Sequence, residues 1–117
     1  MREIKFRGWD VGFKEMESWE SLLTSDVLPE VLQGVFPNLK LMQYTGLKDR
    51  NGVEIYEGDI VISQDGTGGL VYKHIVEWNE FYKRFEPMGE DEAHFNRESC
   101  EVVGSIYENP ELLKDGI

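Results

Sequence analysis

Two periods of apolar and polar alternation run through this chain, and each change of period marks an element. Near the start, Ile4, Phe6 and Gly8 alternate with Lys5 and Arg7, the period of two that a half-buried strand requires. Asp10-Val11-Gly12 supplies turn chemistry, so Phe13-Lys-Glu-Met16 reads as the returning strand of a first hairpin. From residue 18 the period lengthens. Leu28, Val31, Leu32, Val35 and Phe36 fall at i, i+3, i+4, i+7 and i+8, which predicts a short helix with one apolar face. Pro29 belongs in its first turn and Gly34 marks its end. Leu22 and Leu23 lie in the same insertion, either as loop or as a separate helical turn.

Strand-forming residues return in the central run from Leu41 to Ile62, where Gly46, Gly52 and Gly58 punctuate short apolar segments. Asp49-Arg-Asn-Gly52 reads as a hairpin turn, with Asn51 and Gly52 both able to take positive φ. Ile55, Tyr56, Ile60, Val61 and Ile62 suit a pleated, half-buried surface. The polar loop Ser63-Gln-Asp-Gly-Thr-Gly-Gly69 then joins residues 58–62 to a strand over residues 70–78, on which Tyr72, His74, Val76 and Trp78 share a face. Phe81-Tyr-Lys-Arg-Phe85 is expected to pair back onto that strand, and residues 86–96 to form a mobile loop. Glu101-Val-Val-Gly-Ser-Ile-Tyr107 closes the sheet, with Gly104 permitting a bulge or a close approach. Asn109-Pro-Glu-Leu-Leu113 carries an N-cap, a proline at the first helical position and an acid suited to the helix dipole, so it predicts a terminal helical turn. The fold class that follows is mainly β: about six short strands in a small, strongly bent antiparallel sheet that closes as a partly open barrel. A helical insertion at about residues 18–38 is expected to cover one opening.

Composition changes this picture in three ways. A length of 117 residues with 40% hydrophobic content points to one globular domain spanning 1–117. A formal charge of −11 disfavours direct binding to a phosphate backbone, and admits the opposite reading, an acidic surface that imitates nucleic acid or docks on a basic protein. Cys100 is the only cysteine, so neither an intrachain disulfide nor a multi-cysteine zinc site can form, which suits a reducing cytoplasm. The residues from Met1 to Trp9 lack the apolar stretch of a signal peptide, and nothing in the chain has the length of a membrane span.

Candidate chemistry is sparse. Cys100 with His74 would make a nucleophile and base, but no third, orienting group suggests itself, and a buried thiol beside a strand histidine is the plainer reading. His94 with Glu90 and Glu92 offers metal ligands, although two histidines in all fall short of a catalytic zinc site. Asp65-Gly-Thr-Gly-Gly69 lacks the Lys-Ser/Thr pair and the helix of a phosphate-binding loop, and Asp49-Arg-Asn-Gly52 fails as a calcium loop because its glycine falls two positions early. The tryptophans and tyrosines lack interleaved arginines, so they suit packing better than base stacking. No catalytic, cofactor or metal residues are therefore nominated. The candidate partner surface consists of Leu28, Val31, Leu32, Val35 and Phe36 on the insertion, with Leu112 and Leu113 at the terminal turn.

Four blocks carry a family resemblance: Arg2-Glu-Ile-Lys-Phe-Arg-Gly-Trp-Asp10, Met42-Gln-Tyr-Thr-Gly-Leu-Lys-Asp-Arg-Asn-Gly-Val-Glu-Ile-Tyr-Glu-Gly-Asp-Ile-Val61, Val76-Glu-Trp-Asn79 and Val102-Val-Gly-Ser-Ile-Tyr-Glu-Asn-Pro-Glu-Leu-Leu113. They span nearly the whole chain, which resembles the YopX family of phage and prophage proteins. The resemblance implies a barrel similar to the SH3 type and a phage or prophage gene expressed in a bacterial cytoplasm. It brings no activity, cofactor or site residues. The expected function is that of a non-enzymatic accessory protein acting by protein association or self-association. The alternatives are a role in phage DNA metabolism, by weak nucleic-acid binding or acidic mimicry, and a small hydrolase using Cys100 or His74.

Overall fold

The turn Asp10-Val11-Gly12 forms because the Asp10 carboxylate accepts the Phe13 backbone N–H at 3.0 Å while its carbonyl accepts that of Lys14 at 2.7 Å. Around it the computed structural model builds the expected first hairpin, β1 (Phe6–Asp10) against β2 (Glu15–Glu17), with Trp9 opposite Met16, but the turn runs on through Lys14, so the returning strand begins at Glu15 and not at Phe13. The structure describes residues 4–64, 71–81, 84–86 and 100–113. They fall into two compact units, Met1–Tyr44 and Thr45–Ile117.

In the first unit, Ser18 caps α1 (Trp19–Leu23) by accepting the Ser21 N–H at 3.1 Å, so Leu22 and Leu23 lie in a separate helical turn. Leu22 is buried, and the Trp19 ring packs on Phe6 with centroids 5.9 Å apart. A second short helix, α2 (Leu28–Leu32), carries Pro29 in its first turn. It stops at Gly34, whose φ of 79° closes a left-handed cap: Gly34 N–H donates to the Val31 carbonyl and Val35 N–H to that of Glu30. The single apolar helical face expected over residues 28–36 is therefore corrected. Val31 is buried and Leu28 half-buried, but the cap turns the chain before Val35 and Phe36, and these two, with Leu32, are exposed. The chain then enters β3 (Leu39–Lys48), which pairs antiparallel with β1 and runs on into the second unit.

There its end lies beside β4 (Glu54–Tyr56) across the expected 49–53 turn. Of Asn51 and Gly52, only Gly52 takes positive φ, at 81°, because the Asp49 carboxylate holds the turn from inside through the N–H groups of Asn51 and Val53. The remaining strands are β5 (Asp59–Gln64), β6 (Val71–Ile75), β7 (Glu77–Asn79), β8 (Arg84–Glu86) and β9 (Cys100–Ser105). β5 lies between β6 and β9, and β7 pairs with β8 so that Trp78 faces Phe85 across the ladder. This antiparallel structure curls into a half-barrel around Ile55, Val61, Val76, Phe85 and Cys100, with Leu47, Trp78 and Val102 packed against them. The mainly β, strongly bent fold class is thus observed.

Local expectations are sharpened in the second unit. The strand over residues 70–78 breaks at Val76, whose N–H donates to the Asp59 carbonyl and whose carbonyl accepts Gly58 N–H, both at 2.8 Å. His74 is accordingly exposed and Val76 buried, not two members of one face. Gly104 makes the close approach, since a Cβ there would stand 2.7 Å from Asn109 Cγ, and it flanks the bulge: pairing passes from Ile60 opposite Gly104 to Val61 opposite Val102, which skips Val103. Asn109 opens the following turn through its carbonyl, which accepts Leu112 N–H at 3.0 Å, while its side chain serves the strand end, Oδ1 accepting Ser105 N–H at 3.2 Å. The terminal turn is a 3-10 helix, Pro110–Leu113, secured by Lys73 Nζ donating to the Leu112 carbonyl at 2.8 Å. The loops over residues 65–69 and 87–96 lie outside the described residues. Among the described residues no helix is long and apolar enough to cross a membrane.

Candidate functional site

Polar backbone chemistry on the first hairpin and the two short helices leaves apolar side chains facing one another across a groove of about 470 Å³. The hairpin contributes Asp10, Phe13 and Glu17, α1 contributes Ser21 and Leu22, and the following segment contributes Val27, Val31, Phe36 and Leu39. Leu22 and Val31 are buried, whereas Phe13 is 79% exposed and Val27 and Phe36 are each 41% exposed. The lining is thus an apolar base with an aromatic, solvent-facing rim. Its two carboxylates are locally positioned: Asp10 holds the hairpin turn, and Glu17 accepts the Ser21 hydroxyl at 2.7 Å.

This groove lies in the unit that holds most of the exposed large apolar residues. Of the eleven large hydrophobic residues exposed among the described residues, eight belong to the first unit: Ile4, Val11, Phe13, Leu23, Val27, Leu32, Val35 and Phe36. Three of the eight, Phe13, Val27 and Phe36, line the groove, whereas scattered exposed apolar residues elsewhere are ordinary.

Of the residues nominated from sequence, Val31 and Phe36 line the groove. Leu28, Leu32 and Val35 belong to the same segment without lining it. Leu112 and Leu113 lie in the second unit, half-buried in the 3-10 turn. Phe13, Leu22, Val27 and Leu39 were not nominated. Phe13 carried a usable signal, a large aromatic directly after the turn residues Asp10-Val11-Gly12.

The proposed nucleophile and base are not brought together. Cys100 is fully buried in the second unit's core, where burial, reinforced by the charge of Asp49 and opposed by Arg50, pushes its thiol from 9.0 up to about 11. His74 is exposed on β6. A protonated, enclosed thiol is a packing group. Asp49 is buried as well, but both oxygens are engaged, Oδ1 by Asn51 and Val53 and Oδ2 by Val102 N–H at 2.9 Å. Among the described residues no group of three or more His, Cys, Asp or Glu side chains is arranged to hold a metal ion. His94, Glu90 and Glu92 lie outside those residues.

Comparison with known proteins finds a match to the family described as YopX protein over residues 24–114. The fold is similar to the crystal structure of protein EF1440 from Enterococcus faecalis, with a TM-score of 0.62 and 25% identity, covering 97% of this chain and 100% of that one. No curated protein matches.

Proposed function

The chain belongs to the YopX family, and on that footing we propose that it is a phage- or prophage-encoded accessory protein that acts without catalysis, by associating with another protein through the groove of its first unit. The observation that carries this reading is the gathering of exposed Phe13, Val27 and Phe36 around the buried Leu22 and Val31. A partner side chain entering there would remove all of that surface from water at once, the arrangement typical of an interface centre. The test compares the intact chain with a Phe13→Ser/Phe36→Ser variant of unchanged thermal stability, as bait in bacterial lysate and in size-exclusion chromatography with light scattering. A defined stoichiometric complex formed by the intact chain and lost in the variant is expected. A chain that stays monomeric and retrieves nothing the variant fails to retrieve would overturn the reading.

The charge of −11 favours one second reading, imitation of nucleic acid toward a basic host protein. It is tested by whether the chain displaces a DNA-binding protein from DNA without itself being retained on DNA.

A further inference from the structure

We propose that the occupant of this groove is a basic amphipathic segment of a different protein, an aromatic or branched aliphatic anchor flanked by Lys or Arg, and not a second copy of this chain. The inference rests on the reading of the groove as a docking face and adds the chemistry of what docks. Residues 10–39, which build the groove, contain six acidic residues (Asp10, Glu15, Glu17, Glu20, Asp26 and Glu30) against one base, Lys14, a local charge of −5. Asp10 and Glu17 stand in the lining itself, so a cation beside an inserted apolar anchor meets a carboxylate at once. An amphipathic segment laid in an apolar groove takes its affinity from the anchor and its selectivity from such flanking charges. A second copy would instead bring the same Asp10 and Glu17 carboxylates, in a segment of −5 on a molecule of −11, against this one. Like-charge juxtaposition opposes that pairing, whereas a cationic segment is attracted from a distance.

Selection from a displayed library of random peptides, with the intact full-length chain as target and the Phe13→Ser/Phe36→Ser variant as counter-target, reads the answer directly. The recovered peptides are expected to carry Lys or Arg on both sides of a large apolar residue and to bind the intact chain only. Raising the salt so that the screening length falls from about 10 Å to about 3 Å should weaken them about tenfold. Glu17→Gln combined with Glu20→Gln should weaken them further while leaving neutral anchors unaffected. Groove-dependent peptides that are acidic or uncharged would overturn this proposal and leave the docking face standing. Recovery of no groove-dependent peptide would overturn both, and a dimer of the intact chain abolished by Phe13→Ser/Phe36→Ser would replace the basic segment with a second copy.

Discussion

The Asp49 carboxylate accepts the Val102 backbone N–H at 2.9 Å, so the tip of the β3–β4 turn is tied to β9, 53 residues further along the chain. Arg50 strengthens the same junction, its N–H donating to the Cys100 carbonyl and its guanidinium pairing with Glu101 at 3.3 Å. The exposed ion pair contributes little, and the buried carboxylate much more, because its loss strands three N–H donors.

Replacing Asp49 by Ala is therefore expected to cost about 2–3 kcal/mol, and Asp49→Asn less, since one amide oxygen survives as acceptor. The shift of the urea midpoint at unchanged slope measures both. Equal stability of Asp49→Ala and the natural chain would remove the tie from the account.

Cys100 makes the chain sensitive to alkali. Its thiol ionises near 9.0 when unfolded and near 11 when folded, so between those values the folded state holds the proton more tightly. Stability from this group is complete below pH 9.0 and falls as pH rises toward about 11. The total loss is on the order of 2–3 kcal/mol. Denaturation of the intact chain and of Cys100→Ala across that window should converge as pH rises. Thiol reagents should label Cys100 only at the rate of unfolding.

Gly104 and Asn109 are expected to be coupled. An added methyl at residue 104 meets the Asn109 side chain, so Gly104→Ala should destabilise by about 1–3 kcal/mol. In the Asn109→Ala background the same change should cost clearly less, a non-additivity readable from a double-mutant cycle.

Two turns should respond in opposite directions. Lys14 sits at φ 56°, where a side chain is unfavourable, so Lys14→Gly should raise stability by up to about 1 kcal/mol. Gly34 sits at φ 79° with open space around it, so Gly34→Ala should lower stability by about 1–2 kcal/mol through backbone strain alone. Thermal melting of the two variants gives the signs.

The sequence made visible what is settled locally. Asp10-Val11-Gly12, the 49–52 turn, Gly34 as a helix stop and the β7–β8 return all depend on neighbours within a few residues, and each is found in place. Features set by distant parts of the chain were not legible. The break at Val76 depends on the Asp59 carbonyl and Gly58 N–H arriving from an earlier turn, and Asn109 turns back because Ser105 offers its N–H. The groove was half visible: Val31 and Phe36 follow from the insertion's own pattern, but Phe13 and Leu39 join them only once strands and helices fold together. Asp49 looked like a failed calcium ligand because the same carboxylate geometry that gathers cations also gathers N–H groups.

Two aromatic contacts give the molecule built-in optical labels. Trp19 meets Phe6 in the first unit, and Trp78 meets the edge of Phe85 at 4.9 Å in the core of the second. Indole emission responds to the polarity around the ring, so with excitation selective for indole Trp78→Phe leaves emission from the first unit alone, through Trp9 and Trp19. A denaturant titration of that variant follows the melting of the groove's scaffold by indole emission that comes from nowhere else.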